Sequence, residues 1–342
     1  MTVQRYEGLS RERVEEILAK IGTLRAGVIG DACLDVYWEA DMTKSVLSRE
    51  TPHYTLPIVV ERYSPGAAGN VAANLKALGC REVFICSVIG HDWRGELLKQ
   101  QFRNREIDTS FILEEDAWCT PAYCKPIRVG LQQSRQEDPR LDFQNFRELP
   151  ENIASKLANR LDDMAEHCDV IAVTDQLTIG VVGAIIRDRL SYWAEKGKLI
   201  LVDSRDRIGL YRNVIVKPNE IEAAHWVKSD FIGTERTISE WSDVAIRLSQ
   251  EVKGNCCVTL GSEGALWVES GMCTLVATRP LEPPIDIVGA GDGFASALVC
   301  ALGAGSEGQE ATAFAHLAAS IVIKKIGTTG TASPEEIRSS QF

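Results

Sequence analysis

Residues 169–203 read DVIAVTDQLTIGVVGAIIRDRLSYWAEKGKLILVD. An apolar run, DVIAVTD (169–175), leads into apolar residues at helical spacing from Thr178 to Lys196, and a second apolar run, KLILVD (198–203), closes the unit. Short runs that are apolar throughout suit strands buried on both faces, and a helix between two of them is the crossover that parallel strands require. The same alternation extends both ways. Upstream lie AGVIG (26–30), a helix from Asn70 to Leu78 stopped by Gly79, the strand EVFICSVIG (82–90), and a helix capped by Asp92 that carries Leu97, Leu98 and Phe102. Downstream lie NVIVK (213–217), a helix from Pro218 to Lys228, a helix from Ser239 to Val252 with Ser239 as its N-cap, and the strand CCVTLG (256–261). Val14, Ile17, Leu18 and Ile21 mark one more amphipathic helix, and Ile153, Leu157 and Leu161 another that opens at Pro150. The expectation is an α/β fold, with a mostly parallel central sheet sandwiched between two helical layers.

Two stretches break the rhythm. Residues 35–63 and 118–143 are polar and proline-containing, alternate like strands and carry no long helix. They are expected to form a small β-sheet set over the edge of the main one. The length of 342 residues suits one large domain or two ordinary ones. A formal net charge of −11 disfavours nucleic acid as the main partner, because phosphate backbones attract basic surfaces. No apolar run approaches the roughly 20 residues needed to span a bilayer, and the N-terminal residues carry no signal core, so a cytoplasmic protein is expected. Its 10 cysteines then read as reduced thiols, with Cys256 and Cys257 pointing to opposite faces of their strand.

Ligands of such sheets collect beyond the carboxyl ends of the strands. There the stretch IDIVGAGDGFASAL (285–298) stands out. Small residues admit a ligand close to the backbone, and a following helix from Phe294 to Leu302 would turn its free N–H groups and positive end toward the loop. Asp292 then has two readings. It is a helix cap after a tight turn, or it is a base that takes the proton from an alcohol beside a held phosphoryl group.

The pattern Asp286-Ile-Val-Gly289-Ala-Gly291-Asp292 resembles the D-x-x-G-A-G-D signature of ribokinase-like (PfkB-type) sugar kinases. Four more stretches resemble that family's motifs, in family order. They are Gly30-Asp31 with Asp35, Pro65-Gly66-Ala67-Ala68-Gly69-Asn70, Asn219 with Glu222, and Thr259-Leu-Gly261-Ser262-Glu-Gly264. Together they cover roughly residues 25–335. Within the family the likeness is to D-glycero-D-manno-heptose 7-phosphate kinases, carried by GDACLDVYW (30–38), SRETP (48–52), RLDF (140–143) and KIGTTGTASPEEI (325–337).

The resemblance implies a single ribokinase-like domain over residues 1–342, a three-layer sandwich with the two irregular stretches as its β-sheet lid. It implies an ATP- and Mg²⁺-dependent transfer to a sugar or sugar-phosphate hydroxyl, and a homodimer formed through the lid. Asp292 would be the base, with Gly289, Ala290 and Gly291 as the anion hole. Asp31, Asp35, Gly66 and Asn70 would meet the sugar. Asn219, Gly261, Ser262 and Gly264 would meet the nucleotide, Glu222 would hold Mg²⁺ through water, and Asp286 a monovalent cation such as K⁺. A phosphate already on the substrate would need cations. Arg49 and Arg128 are the expected contacts, ahead of Lys125, Arg140, Arg205 and Arg207. Three departures from the family stand in the chain. Ala67 replaces the second glycine of the sugar-site pair, His316 stands where the heptose enzymes usually have Asn, and DSRDR (203–207) replaces a D-P-K-like run. Two rivals are another PfkB-type sugar or nucleoside kinase and a catalytically silent binding protein on the same fold. A nicotinamide enzyme is disfavoured, because no G-x-G-x-x-G follows AGVIG.

Overall fold

The computed structural model describes residues 3–6, 8–228, 236–327 and 329–340. A 10-stranded sheet runs in the spatial order Gln4–Tyr6, Met272–Val276, Ala265–Glu269, Cys256–Thr259, Ile215–Val216, Leu199–Ser204, Val170–Asp175, Arg25–Gly30, Glu82–Ile89 and Asp108–Glu114. Neighbours are parallel except around Ala265–Glu269, which pairs antiparallel on both sides. That hairpin was not legible as a separate unit in the sequence.

Two apolar cores, one on each face of the sheet, explain the continuous apolar strands. Cys257 belongs to one and Cys256 to the other, as strand alternation requires. The first core packs the helices Arg11–Ile21, Ala68–Ala77, Ala290–Gly303 and Gly308–Val322. The second packs Glu151–His167, Ala184–Glu195 and Ile238–Val252.

Several boundaries differ from expectation. The helix expected from Thr178 starts only at Ala184, because residues 176–181 form a turn tied down by a distant carboxylate. Thr237, not Ser239, caps the helix Ile238–Val252, with Glu240 completing a reciprocal capping box. The helix expected from Phe294 begins at Ala290, which places Asp292 inside its first turn.

The second sheet joins Ile58–Ala67, Ala32–Asp41, Ala122–Val129 and Arg135–Glu137, with Leu141–Phe143 also pairing with Ala122–Val129. It reaches beyond the expected limits, since the strand Ala32–Asp41 follows Gly30 of the main sheet after a single residue, Asp31. Its outer strand exposes Ile58, Val59 and Val60.

Candidate active site

A cavity of about 710 Å³ opens at the carboxyl ends of the parallel strands. Asp203 and Lys217 reach it from strand ends, Gly261, Ser262 and Gly264 from the turn after Cys256–Thr259, and Gly289 to Asp292 from the start of the long helix. Its volume is in the range of a nucleotide-sized site.

Gly289 adopts φ 81°, a left-handed conformation that glycine takes without strain, and this turns the chain into the helix Ala290–Gly303. The N–H of Ala290 donates to the Ile287 carbonyl at 3.1 Å, so it is spent. Those of Gly291 and Asp292 have no hydrogen-bond partner among the described residues. Two free amides at the positive end of a 14-residue helix make an anion-binding cradle.

The carboxylate of Asp292 is held from two sides. Asn70 Nδ2 donates to Oδ2 at 2.6 Å, and Gln176 Nε2 donates to Oδ1 at 3.3 Å. Burial pushes its pKa up to about 6 against the lowering effect of Asn70, Lys217 and Gln176; Asp203 adds a further push upward. A carboxylate tuned toward neutrality, at the mouth of an anion cradle, is equipped to take a proton.

Lys217 is buried, 3.3 Å from Asp203. Burial alone would lower its pKa, but Asp203 and Glu222 hold it above its usual range, so it is a fixed positive charge in the cavity wall. Asn219 and Glu222 form a reciprocal capping box: the Glu222 N–H donates to Asn219 Oδ1 at 2.8 Å and the Asn219 N–H to Glu222 Oε2 at 2.9 Å. Both residues line the cavity, and Glu222 Oε1 stays free of that box. No cluster of three or more His, Cys, Asp or Glu residues suited to a metal occurs among the described residues. Glu222, with one carboxylate oxygen outside the capping box, has the chemistry to meet a hydrated Mg²⁺ that takes its other ligands from phosphates.

Asp286 braces the loop from outside. Its Oδ1 accepts from Val288 N–H and its Oδ2 from Gly327 N–H. Each oxygen keeps a lone pair, which leaves the carboxylate able to meet a monovalent cation.

The expected sugar residues divide. Asp31 is buried, and its two oxygens accept from the backbone N–H groups of Gln176, Leu177 and Val181. It anchors the 176–181 turn. Asp35 lies over Gly66, where a β-carbon would sit 2.8 Å from Oδ2, so the close approach requires glycine. Ala67 has φ 49° and ψ −122°, a region natural to glycine, and the methyl strains the turn where the family carries glycine.

The cations also sort themselves. Arg49 is exposed in a loop of the second sheet and Arg128 pairs with Asp138 at 2.8 Å; neither lines the cavity. Arg207 is consumed by Asp175 and by the carbonyls of Leu177 and Thr178. Lys125 and Arg140 do not line the cavity either, but both lie near Asp35: Lys125 is 3.9 Å away, and Arg140 stacks on the Tyr123 ring at 4.3 Å while pairing with Asp142. Burial raises the Asp35 pKa, and Lys125 and Arg140 offset part of that rise. Arg205 lines the cavity with no side-chain partner among the described residues. Gln176 carried no motif and was missed by sequence reasoning.

His316 lines the cavity edge-on to Phe294, with ring centroids 5.1 Å apart. Burial drops its pKa to about 4, so the ring is neutral at physiological pH.

Comparison with known proteins now bears on this geometry. The model of the pfkB family of carbohydrate kinases matches residues 28–124 and 202–336. The chain belongs to that family. This sugar kinase is 30% identical over 334 residues to a protein of Trichlorobacter lovleyi named bifunctional protein HldE, covering 96% of the chain. The protein of the same name from Geobacter sulfurreducens is 28% identical over 334 residues. The chain spans about 65% of the length of each. Among solved structures it resembles Escherichia coli phosphofructokinase-2 in complex with potassium, with a TM-score of 0.72 and 19% identity over 92% of the chain and 97% of that structure. It also resembles Arabidopsis thaliana ribokinase complexed with ribose and ATP, with a TM-score of 0.67 and 17% identity over the same shares. These likenesses establish the ribokinase fold. Among the described residues no helix is long and apolar enough to cross a membrane.

Proposed function

We propose that this kinase transfers the γ-phosphoryl group of ATP to a hydroxyl of a sugar phosphate, most specifically a heptose 7-phosphate, as one cytoplasmic kinase domain whose lid segments are 35–63 and 118–143. The observation that carries the reading is Asp292, a partly buried carboxylate in the first turn of a helix whose free amides face the same cavity. The acceptor O–H bond breaks as its proton passes to Asp292. The oxygen bonds to the γ-phosphorus, and the bond from phosphorus to the ADP oxygen breaks with its electron pair leaving on ADP. The amides of Gly291 and Asp292, with Lys217, meet the negative charge on the group in transit. Mg²⁺ would enter with the nucleotide at Asn219 and Glu222, where it neutralises phosphate charge. A monovalent cation at Asp286 would stiffen the loop.

The finer reading, a substrate that already bears a phosphate, is supported by Lys125 and Arg140 near Asp35, by Arg205 in the cavity wall, and by the likeness to the HldE proteins. These three cations replace Arg49 and Arg128 as the proposed phosphate contacts. The apolar edge at Ile58, Val59 and Val60 supports pairing of two lids in a homodimer.

The test is coupled ADP release across a panel of sugars and sugar phosphates. Turnover with a heptose 7-phosphate and not with the free heptose is the expected result. Turnover with unphosphorylated sugars alone would move the assignment to another sugar kinase of the family. Nucleotide binding with no ADP from any acceptor would favour a silent binding protein.

A further inference from the structure

Two amide side chains, Asn70 and Gln176, hold the Asp292 carboxylate, and Gln176 has no role yet. Gln176 follows the strand Val170–Asp175 directly. Its backbone is not free to wander, because its own N–H and those of Leu177 and Val181 all donate to the buried Asp31. Gly180 belongs to the same arrangement, since a β-carbon there would meet Asp31 Oδ1 at 2.3 Å. From this fixed turn the Gln176 side chain enters the cavity and donates to the Asp292 oxygen that Asn70 does not hold.

We propose that Gln176 is a positioning residue for phosphoryl transfer: with Asn70 it grips both oxygens of Asp292 and fixes the plane of the carboxylate across the acceptor site, and Asp31 acts at one remove by holding Gln176 in place. The inference rests on Asp292 being the base. Two amide donors on one carboxylate lock its rotation and favour its ionised form. The Gln176 contact is the longer, at 3.3 Å against 2.6 Å for Asn70, so Oδ1 is the oxygen with room for the acceptor proton. The other charged groups facing Asp292 are Asp203, at the end of Leu199–Ser204, and Lys217, after Ile215–Val216. They act in opposite directions, and the two amides work against the rise in pKa that burial causes.

The variants Gln176→Leu and Gln176→Glu separate grip from bulk. The Asp292 carboxyl is titrated by ¹³C NMR in the full chain, with Asp292→Asn identifying its signal, and the pH profile of kcat/KM is measured beside it. Losing one donor should move the carboxyl midpoint up by about one pH unit in Gln176→Leu, and further in Gln176→Glu, where a like charge replaces the donor. The acid limb of kcat/KM should move with it, kcat near pH 6 should fall roughly 10-fold, and the KM for ATP should stay within about twofold. An unmoved midpoint in a variant that keeps the parent Tm and circular dichroism overturns the proposal. So does a loss that is equal at every pH, or one confined to the KM of the sugar. The NMR titration needs no turnover, so it reads the grip even if no acceptor is ever phosphorylated, and the two failures stay distinct.

Discussion

The two ends of the proposed site are built differently. At the proposed donor end several groups sit on a strand end or a helix start and already have a partner: Lys217 with Asp203 and Asn219 with Glu222, while Asp286 beside the loop accepts from the amides of Val288 and Gly327. At the proposed acceptor end Lys125, on the smaller sheet and outside the cavity lining, lies 3.9 Å from Asp35, and exposed Arg205 lines the cavity with no side-chain partner among the described residues. On the proposed function, a rigid donor end would be preorganised for one reaction, while the smaller sheet would close as a lid over the sugar. That proposal assigns the chemistry to the main sheet and the specificity to the smaller one.

That contrast is open to attack, and Lys217→Met strikes it hardest. It should lower kcat by about 10²–10³-fold with every acceptor alike, measured by ADP release, because the missing charge serves the transferring group. Acceptor-dependent losses would break the division. It should also destabilise the protein, since Asp203 is left buried without its cation. Arg140→Ala and Arg205→Ala should each raise the KM for a phosphorylated sugar about 10-fold and leave that for its unphosphorylated analogue within about twofold. Equal shifts for both would remove these residues from phosphate recognition. Ala67→Gly should relieve the strained turn and stabilise the fold by about 1 kcal/mol, seen as a rise in Tm; a fall would mean that the methyl packs productively. Arg128→Ala should change least, under twofold in any kinetic constant, because its partner is Asp138, just past the neighbouring strand Arg135–Glu137.

The donor end was the more legible in the sequence for the same reason that it is rigid. Gly261, Ser262 and Gly264 lie in one turn, as do Gly289 to Asp292, so local spacing is enough to place them together. The parallel sheet was legible because strands buried on both faces leave unbroken apolar runs. The cations of the lid were not, because what occupies Arg128 is a strand register: Val129 faces Arg135 across an antiparallel pair, and that brings Asp138 alongside. Gln176 was invisible because its orientation depends on Asp31, 145 residues earlier. Asp31, expected from the family resemblance to meet the sugar, shows the same dependence: only the fold reveals that its oxygens also accept from three backbone amides.

Asp292, the proposed base, also carries a stability cost. Its folded pKa, raised to about 6, means that the native state binds its proton more tightly than the unfolded chain does. This group's contribution to stability therefore falls as pH rises from its ordinary value to about 6, and at pH 8 the full cost of the buried charge is present. The most direct measurement is Asp292→Asn at saturating ATP and sugar, with kcat, ATP affinity and Tm read on one preparation at pH 8. The account predicts a kcat lowered by at least about 10²-fold, ATP affinity within about threefold, and a Tm at or above that of the parent. Near-normal turnover in the asparagine variant would contradict it outright.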